Sequence, residues 1–131
     1  MIVREALVSD PRVVPGDATP QQVAELLTHP HVESALVVDG ERLVGCITPE
    51  TLVTAVAEGR DLRSLSAAEL ADGRVHTIGP EESLEEALRV MSEHDLERLA
   101  VVDGGRFLGI LPREPLILRM AADELGETDP D

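Results

Sequence analysis

The 131-residue sequence has no lysine, no tryptophan and no tyrosine, one phenylalanine (Phe107) and one cysteine (Cys46). Without lysine there is no Schiff-base amine and no phosphate-loop lysine. With Phe107 as the sole aromatic residue there is no platform for stacking the bases of a single strand. A single cysteine closes no internal disulfide and builds no thiolate zinc site. Cys46 falls inside an apolar run, which places it as a buried, inert thiol. No apolar run is long enough to span a membrane. Residues 1–10 lack the continuous apolar stretch of a secretory leader. These absences lead to the expectation of a cytoplasmic protein with no membrane partner.

Eleven arginines face 26 acidic residues, a formal net charge of −15. Such a chain repels nucleic acid and anionic surfaces, because backbone binding needs phosphate neutralisation. The charge serves solubility or an acidic interaction surface. Apolar residues make up 43%, too many for a disordered chain. One compact domain or two small packed halves fit this length, and the core must be aliphatic.

The chain repeats itself. A shift of 64 positions lays Glu33–Leu52 over Glu97–Leu116 without a gap, with nine identities in those twenty positions. The shared core reads Val37-Val38-Asp39-Gly40 and Val101-Val102-Asp103-Gly104. Near the start the register changes: Asp10-Pro11-Arg12-Val13 resembles Asp72-Gly73-Arg74-Val75 at a shift of 62.

Each copy reads in the same order. A lead-in of one or two helical turns (Val3–Val8, Ala67–Ala71) precedes a short extended piece (residues 12–14, 75–78). Thr19 and Ser83 stand at helix N-caps, and Glu86 follows Ser83 at capping-box spacing. Val23, Leu26 and Leu27, and Leu84, Leu88 and Met91, recur at helical steps. Two apolar strands then flank Asp39-Gly40 and Asp103-Gly104, the signal for a type I′ hairpin. Their continuous apolar runs predict strands covered on both faces. A closing helix follows, residues 49–58 and 113–122, the first opened by the capping pair Thr48-Pro49. The fold class is therefore α/β (α+β): two β-α-β-β-α units, each marginal alone, expected to pack sheet to sheet about a pseudo-twofold axis. Residues 1–64 form the first unit, 65–122 the second, and 123–131 an acidic tail read as disordered.

The doubled stretches Ala35–Leu52 and Leu99–Leu116 resemble a tandem pair of CBS domains, the motif named after cystathionine beta-synthase. The resemblance covers nearly the whole chain outside the tail. It implies a regulatory module rather than an enzyme, a homodimer, and binding of an adenosine-containing ligand in the cleft between the motifs. AMP, ADP, ATP and S-adenosylmethionine are the candidates, with no cofactor required. The regulated partner protein is left open.

By the same resemblance, backbone of the first short strand in each repeat holds the ligand, here Val14-Pro15 and Ile78-Gly79. Apolar residues around the first hairpin strand surround it, here Ala35-Leu36 and Leu99. A Thr/Ser-x-x-Asp element opening the last helix grips the ribose. In the first repeat that element reads Thr48-Pro49-Glu50-Thr51, with a threonine at the aspartate position. In the second it reads Pro112-Arg113-Glu114-Pro115, with proline at both polar positions. A lost charged hydrogen bond of about 1.5–3 kcal/mol weakens binding roughly ten- to a hundredfold. Thr48 and Thr51 remain able to bind; the second half-site is degenerate. Arg98 and Arg113 are the candidate phosphate contacts. Glu50 and Glu114 beside these helix starts favour a monophosphate, nucleoside or adenosyl ligand over ATP.

Other chemistry is set aside. His29-Pro30-His31 supplies at most two metal ligands in a surface loop. His76 and His94 read as isolated, His94 closing a helix. No nucleophile elbow or glycine-rich phosphate loop is present. Two functions remain: a ligand sensor that signals to a partner, and a structural dimer or interaction scaffold with decayed sites.

Overall fold

The computed structural model describes residues 2–10 and 12–125. Both repeats show the anticipated order. The first has β1 (Val13–Pro15), α1 (Pro20–Leu27), β2 (Ala35–Asp39), β3 (Arg42–Ile47) and α2 (Pro49–Ala57). The second opens with α3 (Ala67–Leu70) and continues with β4 (Thr77–Ile78), α4 (Leu84–Glu93), β5 (Arg98–Asp103), β6 (Arg106–Pro112) and α5 (Arg113–Glu124). The lead-in of the first repeat is a 3-10 turn, Val3–Ala6. Helix α5 runs past Ala122, so the tail expected from Asp123 begins inside a helix; residues 126–131 lie outside the described residues.

Local chemistry explains the helix starts. Thr19, Thr48, Ser66 and Ser83 each accept the N–H three residues on, satisfying a donor that the helix leaves unpaired. The helix exits also match across the repeat. His31 and Asp95, 64 positions apart, are the two described non-glycine residues with positive φ (66° and 53°).

The hairpins differ in one respect. Gly104 and Gly105 both have positive φ (60° and 89°), as a type I′ turn requires. In the first hairpin Gly40 is left-handed (65°) but Glu41 is not, so the expected type I′ geometry is absent there. A side chain with a Cβ at the second central position resists the left-handed well.

The chain forms two compact units that do not follow the repeat boundary. One comprises residues 10–75 and 104–107, the other residues 1–9, 76–103 and 108–131. Each unit takes its lead-in from the other repeat. In the first-named unit, β1 lies parallel to β2 and β2 antiparallel to β3. Helix α3 packs there too: Ala67 and Leu70 join Val23, Ala35, Val37 and Ile47 in its buried cluster. Asp72 bridges Cys46 of β3 by two backbone hydrogen bonds of 2.9 Å. In the other unit the mirror-image event occurs. Val8 bridges Ile110 of β6 at 2.9 and 3.0 Å, and Val3 is buried with Met91, Leu99 and Leu111. The exchange is reciprocal, since Val8 and Asp72, like Cys46 and Ile110, are 64 positions apart.

The close approach needs glycine. A Cβ on Gly45 would strike the Asp72 carbonyl oxygen and lie 2.6 Å from its carbonyl carbon. Gly109, its repeat equivalent, would place a Cβ 3.2 Å from the Val8 carbonyl oxygen. The doubled register of the lead-ins now has a cause. Asp10 and Asp72 each accept the N–H of the arginine two residues on, at 2.8 and 3.0 Å. In the first repeat Val8 makes the bridge and Asp10 the turn; in the second, Asp72 does both.

Candidate functional site

Six of the site residues expected from the sequence fall in the unit built on residues 10–75. Ala35 pairs with Ile47, which leads directly into Thr48, and the Leu36 N–H donates to the Arg12 carbonyl. Val14 pairs with Val37 and Pro15 with Val38. Ala35, Leu36 and Thr48 thus meet at one end of the sheet, at the N-terminus of α2. Ala35 is fully buried and part of the core. Neither its side chain nor its backbone reaches the surface, so Ala35 shapes this end of the sheet from beneath rather than touching a ligand.

Thr48 and Thr51 are engaged with each other before any ligand arrives. The Thr51 N–H donates to Thr48 Oγ1 (3.2 Å) and the Thr48 N–H to Thr51 Oγ1 (3.1 Å). The two hydroxyl oxygens are 3.0 Å apart. One hydroxyl proton fills that last contact and the other stays uncommitted. The cap therefore offers a ligand one donor and no charge. Threonine at the expected aspartate position is explained locally: it is the third residue of a reciprocal cap.

A groove of about 550 Å³ opens beside this cap, with Thr48, Thr51, Thr54 and Glu58 among its α2 wall residues and Glu69, Asp72 and Arg74 on the α3 side. Four carboxylates (Glu50, Glu58, Glu69, Asp72) and two guanidiniums (Arg60, Arg74) line it, so the lining is net acidic. Asp72 accepts from the Arg74 N–H and from Arg74 Nε at 3.3 Å. These bonds, the backbone one first, hold its carboxyl below the ordinary range. Glu69 is turned back onto Ser66, accepting its N–H at 3.0 Å. Cys46 lies half-buried beside Asp72; burial, and then the Asp72 charge, push its thiol upward. Glu69, Asp72 and Arg74 were not foreseen as lining residues. The Asp-x-Arg turn repeated at a shift of 62 was the one available signal.

The other five candidates lie in the second unit. Ile78 and Leu99 are core side chains, 7% and 1% exposed. Gly79 is half-buried and Arg98 is exposed. The Arg113 N–H donates to the Glu97 carbonyl at 2.9 Å, which ties the start of α5 to the start of β5. Arg113 Nε is buried without a hydrogen-bond partner among the described residues. The histidines correct the sequence reading: His76 and His94 are not isolated. Their rings stack with centroids 3.9 Å apart and planes 22° apart.

The sequence profile of the CBS domain family matches residues 3–58 and 67–114. The chain is a CBS-domain pair. The mixed α/β fold described above agrees with this membership. The CBS domain-containing protein YhcV of Bacillus subtilis is 27% identical over 127 residues, covering 93% of this chain and 87% of its own length. The uncharacterized protein MJ0450 of Methanocaldococcus jannaschii is 27% identical over 122 residues, which cover 85% of this chain but only 62% of that relative. Among solved structures, CBSX2 in complex with AMP has a TM-score of 0.68 at 25% identity, covering 95% of this chain and 98% of the other. CBS pairs are, as a class, regulatory modules. No described helix of this one is long and apolar enough to cross a membrane.

Proposed function

We propose that this CBS pair is a ligand sensor that binds an adenosine-containing small molecule at the N-terminal end of α2 and signals to a partner protein. The observation that carries the reading is the α2 cap, where the paired Thr48 and Thr51 hydroxyls open helix α2 at the end of the sheet on which Ala35, Leu36 and Thr48 converge. The AMP complex of CBSX2, similar over nearly the whole chain, supports the ligand class. Val14, Pro15 and Leu36 contribute backbone and apolar surface, and the buried Ala35 supports them from the core. Ile78, Gly79, Arg98, Leu99 and Arg113 form the weaker counterpart in the second repeat, where Pro112 and Pro115 replace the hydroxyls. Catalysis has no part in this function, and a cytoplasmic location fits it.

The acidic lining beside the cap ranks the ligands. Four carboxylates against two guanidiniums disfavour added phosphate charge. S-adenosylmethionine and adenosine should bind more tightly than AMP, and AMP more tightly than ATP. Calorimetry of the full chain with each ligand tests this. No heat from any of them at about 1 mM removes the sensing function; tightest binding of ATP removes the electrostatic ranking.

A specific observation favours homodimerisation, which the scaffold reading also needs. Val53 and Val56 of α2 are 67% and 61% exposed, and Ile117 and Leu118 of α5 are 40% and 65% exposed. Apolar faces at equivalent places in both repeats suit self-association. Val53→Glu with Leu118→Glu should shift the chain to monomer in analytical ultracentrifugation; a wild-type monomer excludes this assembly.

A further inference from the structure

We propose that His76 and His94 form a two-histidine site for a late first-row divalent cation, with copper(II) bound more tightly than nickel or zinc. The fold brings the two rings together from different elements. His76 immediately precedes β4, and His94 is the C-terminal cap of α4. Their centroids are 3.9 Å apart, close enough for one ion to reach a nitrogen of each.

Both residues are exposed, and no hydrogen bond or ion pair occupies either ring among the described residues. No protein group among the described residues therefore competes for the ring nitrogens. The backbone under each ring is anchored. The His94 N–H donates to the Val90 carbonyl, and the next two N–H groups return to Ser92 and Met91. Thr77, next to His76, pairs with Ala100. The Cα positions are thus set before the ion arrives, while the side chains keep their freedom. Planes 22° apart confine the lone pairs to nearly parallel planes, so binding opens the stack and turns the rings until the lone pairs converge. Exposure makes that turn inexpensive, since the ring-to-ring contact is what is lost.

The donor count selects the ion. No group of three or more His, Cys, Asp or Glu side chains placed to hold a metal occurs among the described residues. A closed tetrahedral zinc centre needs four ligands, so this site does not fit one. Two imidazoles with water in the other positions match the tetragonal nitrogen–oxygen preference of copper(II), which also stands highest in the divalent series. The net charge of −15 draws cations to the surface. A bound ion would clip the end of α4 to the start of β4.

The test is titration of the untagged full chain with copper(II) chloride in a weakly coordinating buffer, with electron paramagnetic resonance at one equivalent. The expected result is one ion per chain with a two-nitrogen signature, and weaker binding of nickel and zinc. His76→Gln and His94→Gln should each weaken binding by about tenfold or more. The His29→Gln/His31→Gln double variant, which removes the other histidine pair, should bind as wild type does. Circular dichroism confirms that each variant is folded. The proposal is overturned if the wild type binds no copper at about 1 mM. It is equally overturned if the site survives loss of both His76 and His94, or disappears with His29 and His31.

Discussion

Gly45→Ala should be the most damaging single-methyl change in this chain. The added Cβ strikes the Asp72 carbonyl oxygen and lies 2.6 Å from the carbonyl carbon, both backbone atoms that cannot rotate away. To make room, the bridging segment at Asp72 must leave β3. That breaks two backbone hydrogen bonds of 2.9 Å, each contributing about 0.5–1.5 kcal/mol. It also loosens α3, whose Leu70 is 5% exposed and whose full burial contributes about 1.5–3 kcal/mol. Partial loss of both terms gives a cost of about 3 kcal/mol. The repeat supplies an internal control. Gly109→Ala places its Cβ 3.2 Å from the Val8 carbonyl oxygen and 3.4 Å from Leu7 Cβ, contacts that a shift of a few tenths of an ångström relieves. Its cost should be about 1 kcal/mol. For a chain of this size 1 kcal/mol moves the melting temperature by roughly 3–5 °C. Differential scanning calorimetry should therefore show Gly45→Ala lowered by about 10 °C and Gly109→Ala by about 4 °C. Hydrogen exchange should show the Cys46 and Asp72 amides unprotected in the first variant. Equal losses in the two variants, or a Gly45→Ala protein within about 1 kcal/mol of wild type, would refute the exchanged lead-in as a structural element.

Three further outcomes follow from the local chemistry. Thr48→Ala removes the acceptor for the Thr51 N–H and should cost about 1 kcal/mol in urea denaturation, while Thr48→Ser should restore most of it. Burial and Asp72 raise the Cys46 thiol. Its contribution to stability is full below the unfolded thiol's pKa and is lost as pH rises through the folded value. Iodoacetamide at mildly alkaline pH should then alkylate the native protein more slowly than the urea-unfolded chain; equal rates would contradict the assignment. Hydrogen bonding to Arg89 lowers the Glu86 carboxyl. That contribution is present above the unfolded carboxyl's pKa and is lost as pH falls through the folded one. Arg89→Ala should flatten the acid limb of the stability profile, and an unchanged limb would show the pair to be inert.

Much of this fold was legible from the chain alone, because its signals are local or periodic. Thr19, Thr48 and Ser83 announce helix starts by satisfying donors three residues away, and Asp-Gly between apolar runs announces a hairpin. The 64-residue shift announces the duplication, and with it the CBS pair. The candidate site was legible in part. Thr48, Ala35 and Leu36 do converge at one sheet end, but that Thr51 completes a cap depends on its hydroxyl accepting the Thr48 N–H at 3.1 Å, which spacing alone does not reveal.

What tertiary structure alone decided are the pairings between distant segments. Residue patterning records which face of an element is apolar, not which element covers it. So the chain's own pattern could not say that Asp72 would bridge Cys46, that Val8 would bridge Ile110, or that the lead-ins would change places. Nor could it say that His76 and His94 would stack, since exposed residues leave no periodic trace. Local hydrogen-bond chemistry and periodicity made the elements; packing of the aliphatic cores chose their partners.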